Sequence, residues 1–251
     1  MKNYRKEYGL PVLTLALGIV CLVMRQLLYA VAVDEKNLLL RDHPLEIALW
    51  IAALGSAALI VLNVWKREGS NRYEENFGPS PAAALGHFLM AAGVGMTVLF
   101  GTPGAYGALG AVWSVLGILS VPALIWAGLC RLRGKQPFFL IHAALCLFLL
   151  MHIMNQYQRW CGDPQLMNYA FSLFAAMMLA LIAYQTAAFE AGCGKRRMHL
   201  GTGLLSVLFA AAALSAGEYP FLHLGGISWA LTNLCSMQPR PKEGEDIHDP
   251  S

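Results

Sequence analysis

Eight long apolar runs follow one another along the chain, at about 10–33, 44–65, 81–100, 108–130, 137–157, 167–190, 198–216 and 220–237. Each approaches the roughly 20 residues that an α-helix needs to cross a hydrocarbon core about 30 Å thick. The runs are rich in Leu and Ala and lack period-two alternation, so they predict helices rather than barrel strands. Pro44, Pro81, Pro137 and Pro220 stand at predicted helix starts, where a missing N–H costs nothing. Pro122 falls inside the fourth run and predicts a kink. The fold class that follows is an all-α polytopic membrane bundle of eight helices, a single domain over 1–237. A polar, proline-bearing tail over 238–251 is expected to be disordered.

Composition excludes the soluble alternatives. Of 251 residues, 57% are hydrophobic and 13% charged, about half the charge of an ordinary soluble domain. A net charge of +3 is too small for a nucleic-acid footprint. The six cysteines form no C-x-x-C pair, and only Cys161 falls in an outer loop, so no disulfide framework is expected.

Charge placement sets the orientation. Lys2, Arg5, Lys6, Lys66, Arg67, Arg72, Arg131, Arg133, Lys135, Lys195, Arg196, Arg197, Arg240 and Lys242 all fall on one side of an eight-span threading. Lys36, Arg41 and Arg159 fall on the other, and Arg25 lies within a span. The positive-inside rule places both termini in the cytoplasm and the chain in the cytoplasmic membrane. Anionic lipid headgroups are a second use for the basic clusters. The first run is longer than a signal-peptide core and is interrupted by Arg25, so it reads as an uncleaved helix.

Two short segments echo each other: Asp42-His43-Pro44-Leu45 with Asp163-Pro164-Gln165-Leu166, and Leu109-Gly110-Ala111-Val112-Trp113 with Leu224-Gly225-Gly226-Ile227-Ser228-Trp229. Four spans per half would make such a duplication a parallel 4+4 repeat.

Polar residues within apolar helices mark candidate chemistry. Arg25, with Tyr29 four residues on, defines one face of the first span. It either snorkels to the outer boundary, forms a structural ion pair or contacts a ligand. His152, Asn155, Gln156 and Arg159 follow i, i+3, i+4, i+7 and so share one face at the outer end of the fifth span. The bland reading is a solvated helix end or packed polar network. The sharper reading is a ligand site formed by Arg25, Tyr29, His152, Asn155, Gln156 and Arg159. Asp34, Glu35, Asp42, Glu46, Asp163 and Glu218 make the outer vestibule mildly acidic, which favours cations without excluding neutral solutes. His43 and His223 lie at the same level.

His87, His142 and His199 lie in the cytoplasmic half. His142 and His152 share one helix about 15 Å apart, which raises haem b held between histidines as an alternative. No pairing by spacing supports it, and no cofactor or metal site is expected. H-E-x-x-H, G-x-S-x-G and phosphate-loop motifs are lacking, so no catalytic residue is assigned. Gly101-Thr102-Pro103-Gly104-Ala105-Tyr106-Gly107 reads as a tight connection or a re-entrant loop.

Several segments together carry a family resemblance: Cys130-Arg131-Leu132-Arg133-Gly134-Lys135-Gln136-Pro137-Phe138-Phe139, His142-Ala143-Ala144 with His152, Trp160 before Asp163-Pro164-Gln165-Leu166, and Tyr184 through Gly194-Lys195-Arg196-Arg197. Asp34 with His43-Pro44, and Trp229-Ala230-Leu231-Thr232-Asn233-Leu234, extend it over most of the chain. In these the chain resembles a group of eight-span membrane proteins from Gram-positive anaerobes that has no assigned activity. The group's pattern has serine where Cys161 stands, which argues against a role for that thiol. The resemblance implies the topology and no chemistry.

Three functions therefore stand as expectations. The first is transport or binding of a small solute in the outer half of the bundle. The second is a membrane redox subunit with haem b or quinone, and the third an accessory scaffold without a ligand. Lipid is the expected partner, and oligomerisation is open.

Overall fold

In the computed structural model, residues 4–32, 43–65, 67, 70–101, 108–161 and 169–238 are described. They form helices α1 (Tyr4–Val31), α2 (Pro44–Trp65), α3 (Tyr73–Asn76), α4 (Pro81–Phe100), α5 (Ala108–Leu132), α6 (Leu140–Trp160), α7 (Ala170–Glu190), α8 (Arg196–Ala213) and α9 (Pro220–Cys235). A 3-10 turn, Leu214–Ala216, follows α8. The described residues contain no strand, only an isolated bridge between Phe77 and Met237. Asp34, Glu35, Lys36, Arg41, Asp42, the Thr102–Gly107 segment, Asp163 and most of the tail lie outside the described residues.

Six helices are long and apolar enough to cross a membrane: Gly9–Val31 within α1, then α2, α4, α5, α6 and α7. Their outward faces carry bare apolar side chains such as Val31, Ile51, Leu62, Leu99 and Ile118, each more than 60% exposed. Patches of that size on a water-soluble chain would drive association. Against lipid tails they need no cover. The molecule is thus a helical bundle of the integral membrane class.

α8 and α9 are shorter, at 18 and 16 residues. α8 is the most enclosed: α1, α2, α7 and α9 all pack on it, and every residue from Ser206 to Ala213 is buried. A helix packed by four others has most of its surface shielded from lipid. It therefore tolerates Arg196, His199, Thr202 and Ser206 that a lipid-facing helix would not.

Consecutive helices α4 to α9 pack side by side, and α4 closes against α9. The α1–α2 pair lies outside this group, against α8. A two-fold repeat that exchanges α4 with α8 and α5 with α9 would match the α4–α9 contact with one between α5 and α8. The principal contacts include no such pair, so the packing is not evenly two-fold.

Proline and glycine explain the ends and the close approaches. Pro44, Pro81 and Pro220 do open helices, and Ser80 Oγ accepts the Ala83 N–H at 3.2 Å ahead of Pro81. Pro137 does not: α6 starts at Leu140, so this proline belongs to the preceding link. α5 runs continuously past Pro122. Gly134 and Gly192 take positive φ after α5 and α7, where Lys135 N–H bonds the Cys130 carbonyl and Cys193 N–H that of Ala188, both at 2.9 Å. All six cysteines are free thiols.

The α4–α9 contact brings backbone against backbone. A Cβ on Gly93 would meet the Phe221 carbonyl at 2.5 Å, and one on Gly225 the Leu89 carbonyl at 2.9 Å. Small residues permit this closeness, which is how membrane helices gain packing energy without a hydrophobic drive between them. Gly93→Val is expected to cost about 1–3 kcal/mol by overpacking, read as a lowered melting temperature in detergent. Gly55→Ala, which meets nothing within 4 Å, is expected to leave it unchanged.

Candidate functional site

The sequence-expected residues gather at one end of the bundle. Arg25 is only 2% exposed, so it does not snorkel. One guanidinium nitrogen donates to Tyr29 Oη at 3.0 Å and another to the Ala212 carbonyl at 3.4 Å. The guanidinium also sits 5.1 Å from the centre of the Phe171 ring, a contact that holds a cation by the ring's quadrupole. Arg25 thus reaches from α1 toward α7 and α8.

His152, Asn155 and Gln156 are buried on α6. His152 Nε2 lies 3.5 Å from Gln156 Nε2, and the ring meets the edge of Tyr219 at 4.8 Å and stacks by Phe148 and Trp113. Arg159 stands at the rim, 4.0 Å from Glu218 Oε1.

α1 and α6 are not among each other's principal packing neighbours. α1 packs on α2, α8 and α9, whereas α6 packs on α5 and α7. His223 of α9 lies one turn beyond Tyr219, whose ring meets that of His152. The His223 ring is 1% exposed, and neither nitrogen has a hydrogen-bond partner among the described residues. Ser172 Oγ, Gln156 Oε1 and the Trp113 indole N–H, also buried, are likewise unsatisfied. A buried polar atom without a partner costs about 1–3 kcal/mol, so several in one region call for a ligand or water.

A cavity of about 230 Å³ opens at the rim between the end of α4 and the start of α9, lined in part by Thr97, Arg159, Gly217, Glu218 and Tyr219. Tyr219 takes φ 51° ahead of Pro220. That is a left-handed backbone which a non-glycine residue rarely adopts, and such strain gathers at functional sites.

A second polar cluster occupies the opposite end, and most of it was not anticipated. Glu190 at the end of α7 pairs with His142 at 2.8 Å, both side chains being 1% exposed or less. His142 in turn meets His87 at 3.2 Å. Arg131 and Arg196, expected as solvent-facing topology charges, are 3% and 8% exposed. Arg131 donates to the Gly78 carbonyl at 2.9 Å and Ser236 Oγ at 2.8 Å, and lies over the Phe77 ring. Arg196 donates to Asn76 Oδ1 and the Gln238 carbonyl, each at 2.9 Å. These bonds stitch the links after α2, α5 and α7 to the chain beyond α9. Burial pushes the Tyr73 hydroxyl up to about 12 despite the opposing pull of Arg131 beside it, so it stays protonated. His199 is wholly buried with both nitrogens unpartnered, edge-on to Phe77 and Phe189.

This geometry bears on the haem alternative. An iron held by two imidazoles needs roughly 2 Å to each nitrogen, with the macrocycle between them. His87 and His142 are bonded directly to each other and leave no such gap. Among the described residues no three His, Cys, Asp or Glu converge as metal ligands.

The signals for the second cluster were weak. Glu190 is the last residue of an apolar run, and the intramembrane-acid rule alone would single it out. Tyr73 and Asn76 sit in a polar link with no period. Compared with family models, curated proteins and solved structures, the chain matches none.

Glu218 offers a pH test. Partial burial raises its carboxyl above the ordinary range, opposed by Arg159 and the Trp160 indole. The stability it contributes is then full at low pH and lost as pH rises through its folded-state value. Melting curves against pH should show wild type falling relative to Glu218→Gln above the ordinary carboxylate range. Parallel curves would contradict the assignment.

Proposed function

We propose that the chain is an eight-crossing protein of the cytoplasmic membrane that binds, and moves, a small polar solute in the outer half of its bundle. The links stitched by Arg131 and Arg196 share one end with the solvent-reaching Arg72, Arg133, Lys135 and Lys195. By the positive-inside rule that end is cytoplasmic, with both chain termini on the same side. α8 and α9 complete the count as enclosed crossings. The Arg159–Glu218 mouth then faces outward.

One observation carries the solute reading: His223, buried one turn beyond the Tyr219 that packs on His152 and lines the rim cavity, has two ring nitrogens without a hydrogen-bond partner among the described residues. Ser172 and Gln156 add further unsatisfied groups. Arg25, Tyr29, His152, Asn155 and Gln156 form the proposed site, and Arg159 with Glu218 its entrance. Cationic and anionic groups both line the path, which suits a neutral or zwitterionic solute carrying hydrogen-bond acceptors toward Arg25. A scaffold without a ligand has no use for this arrangement.

A thermal-shift screen of purified protein against small neutral, zwitterionic and charged solutes tests the reading. A ligand at a hundred times its Kd stabilises by about 2.7 kcal/mol, and the expected hits are neutral or zwitterionic. The shift should vanish in Arg25→Leu and in His223→Phe, and persist in the lipid-facing Leu62→Ala. Equal shifts in all variants would dismiss the site.

A further inference from the structure

Glu190 on α7, His142 on α6 and His87 on α4 form a chain of short contacts ending on a backbone carbonyl. Glu190 Oε1 lies 2.8 Å from His142 Nδ1. His142 Nε2 lies 3.2 Å from His87 Nε2, and His87 Nδ1 lies 2.7 Å from the Ala83 carbonyl oxygen. The three side chains are buried, and Trp229 lies flat against the His142 ring at 5.9 Å with 14° between planes.

Hydrogens can be counted along this chain. A carbonyl only accepts, so His87 Nδ1 carries a hydrogen. Two ring nitrogens in contact share one between them. The carboxyl-to-Nδ1 contact is not well aimed for a hydrogen bond, but at 2.8 Å it is too short for two bare lone pairs and needs a third. A carboxylate with two neutral imidazoles supplies two hydrogens in all, and would bury a net charge of −1 with lone pair facing lone pair at one contact. The complete chain holds one proton more and is neutral. That proton rests equally well, in bonding terms, on Glu190 as the acid, on His142 as imidazolium or on His87 as imidazolium. These forms differ only in which side of each bond a hydrogen occupies, so it passes along the chain without heavy-atom movement.

We propose that Glu190, His142 and His87 constitute a binding site for one proton. The proton leaves water at the end where Ala191, Gly192 and Cys193 are exposed. It enters at Glu190 and takes the chain from −1 to neutral. The far end stops at the Ala83 carbonyl, so the chain stores a proton and does not conduct one through. Charged and titratable groups face it from each neighbouring element: Arg131 and Cys130 on α5, Tyr73 on α3, and His199 and Arg196 on α8. Gln136, from the link before α6, donates to the Glu190 carbonyl and fixes the end of α7. This site does not depend on the solute reading. Joined to it, the proton becomes the coupling ion, bound at the opposite end of the bundle.

The experiment is solute-free and uses the full chain in lipid nanodiscs. Infrared spectra of ¹³C-glutamate protein and ¹⁵N-histidine NMR should show, at neutral pH, either a protonated glutamic acid or one histidine imidazolium that disappears in Glu190→Gln. The glutamine amide can still donate to His142 Nδ1, so the variant keeps its hydrogen bonds and lacks only the mobile proton. Titration should count one proton fewer per chain in Glu190→Gln, while Glu218→Gln keeps the inner signal. Two neutral histidines beside an ionised Glu190 in wild type would overturn the proposal, as would equal proton counts in a folded Glu190→Gln. If that variant fails to fold, the wild-type spectra alone decide.

Discussion

Oil offers no hydrogen bonds, and every polar group that this bundle carries below its surface must find a partner in the protein or in something the protein holds. Both ends of the bundle meet that constraint only in part. At the end with Arg131 and Arg196, the two guanidinium groups are matched to carbonyls, an amide and a hydroxyl from neighbouring links, while His199 and the Trp229 indole keep unsatisfied nitrogens. At the other end, His223, Ser172 and Gln156 keep unsatisfied atoms, and a cavity opens at the rim beside Arg159 and Glu218.

The helices that permit this are the two least suited to lipid. α8 and α9 are short, and α8 carries polar residues that a lipid-facing helix could not expose. α8 is largely covered by its neighbours, and glycine contacts at Gly93 and Gly225 bring α4 and α9 to backbone distance. α9 carries His223 toward one end of the bundle and Trp229 beside His87 and His142 toward the other.

Much of this was legible in the chain itself. Prolines at 44, 81 and 220 marked helix starts because a helix tolerates a missing N–H there. The 152, 155, 156, 159 stripe was readable because helical periodicity puts those residues on one face, and three of the four are indeed buried. Arg25 stood out because a charge in an apolar run is rare. What could not be read was distance across the sequence. His87 and His142 are 55 residues apart and meet only because α4 and α6 bring them together. Arg131 and Arg196 looked like solvated topology charges because basic residues near helix ends usually are. Only packing shows that their guanidinium groups turn inward to cap links from elsewhere. Pro137 misled for a related reason: a proline before an apolar run belongs as readily to the link as to the first helical turn.

The account rests most heavily on His223 having company. A density map of the protein in lipid, at a resolution that shows ordered solvent, tests this directly. The account predicts a water or solute feature within hydrogen-bond distance of the His223 ring, continuous with the space beside Arg159 and Glu218. Apolar side chains closed tightly around that ring, with no feature between Arg25 and His152, would contradict it.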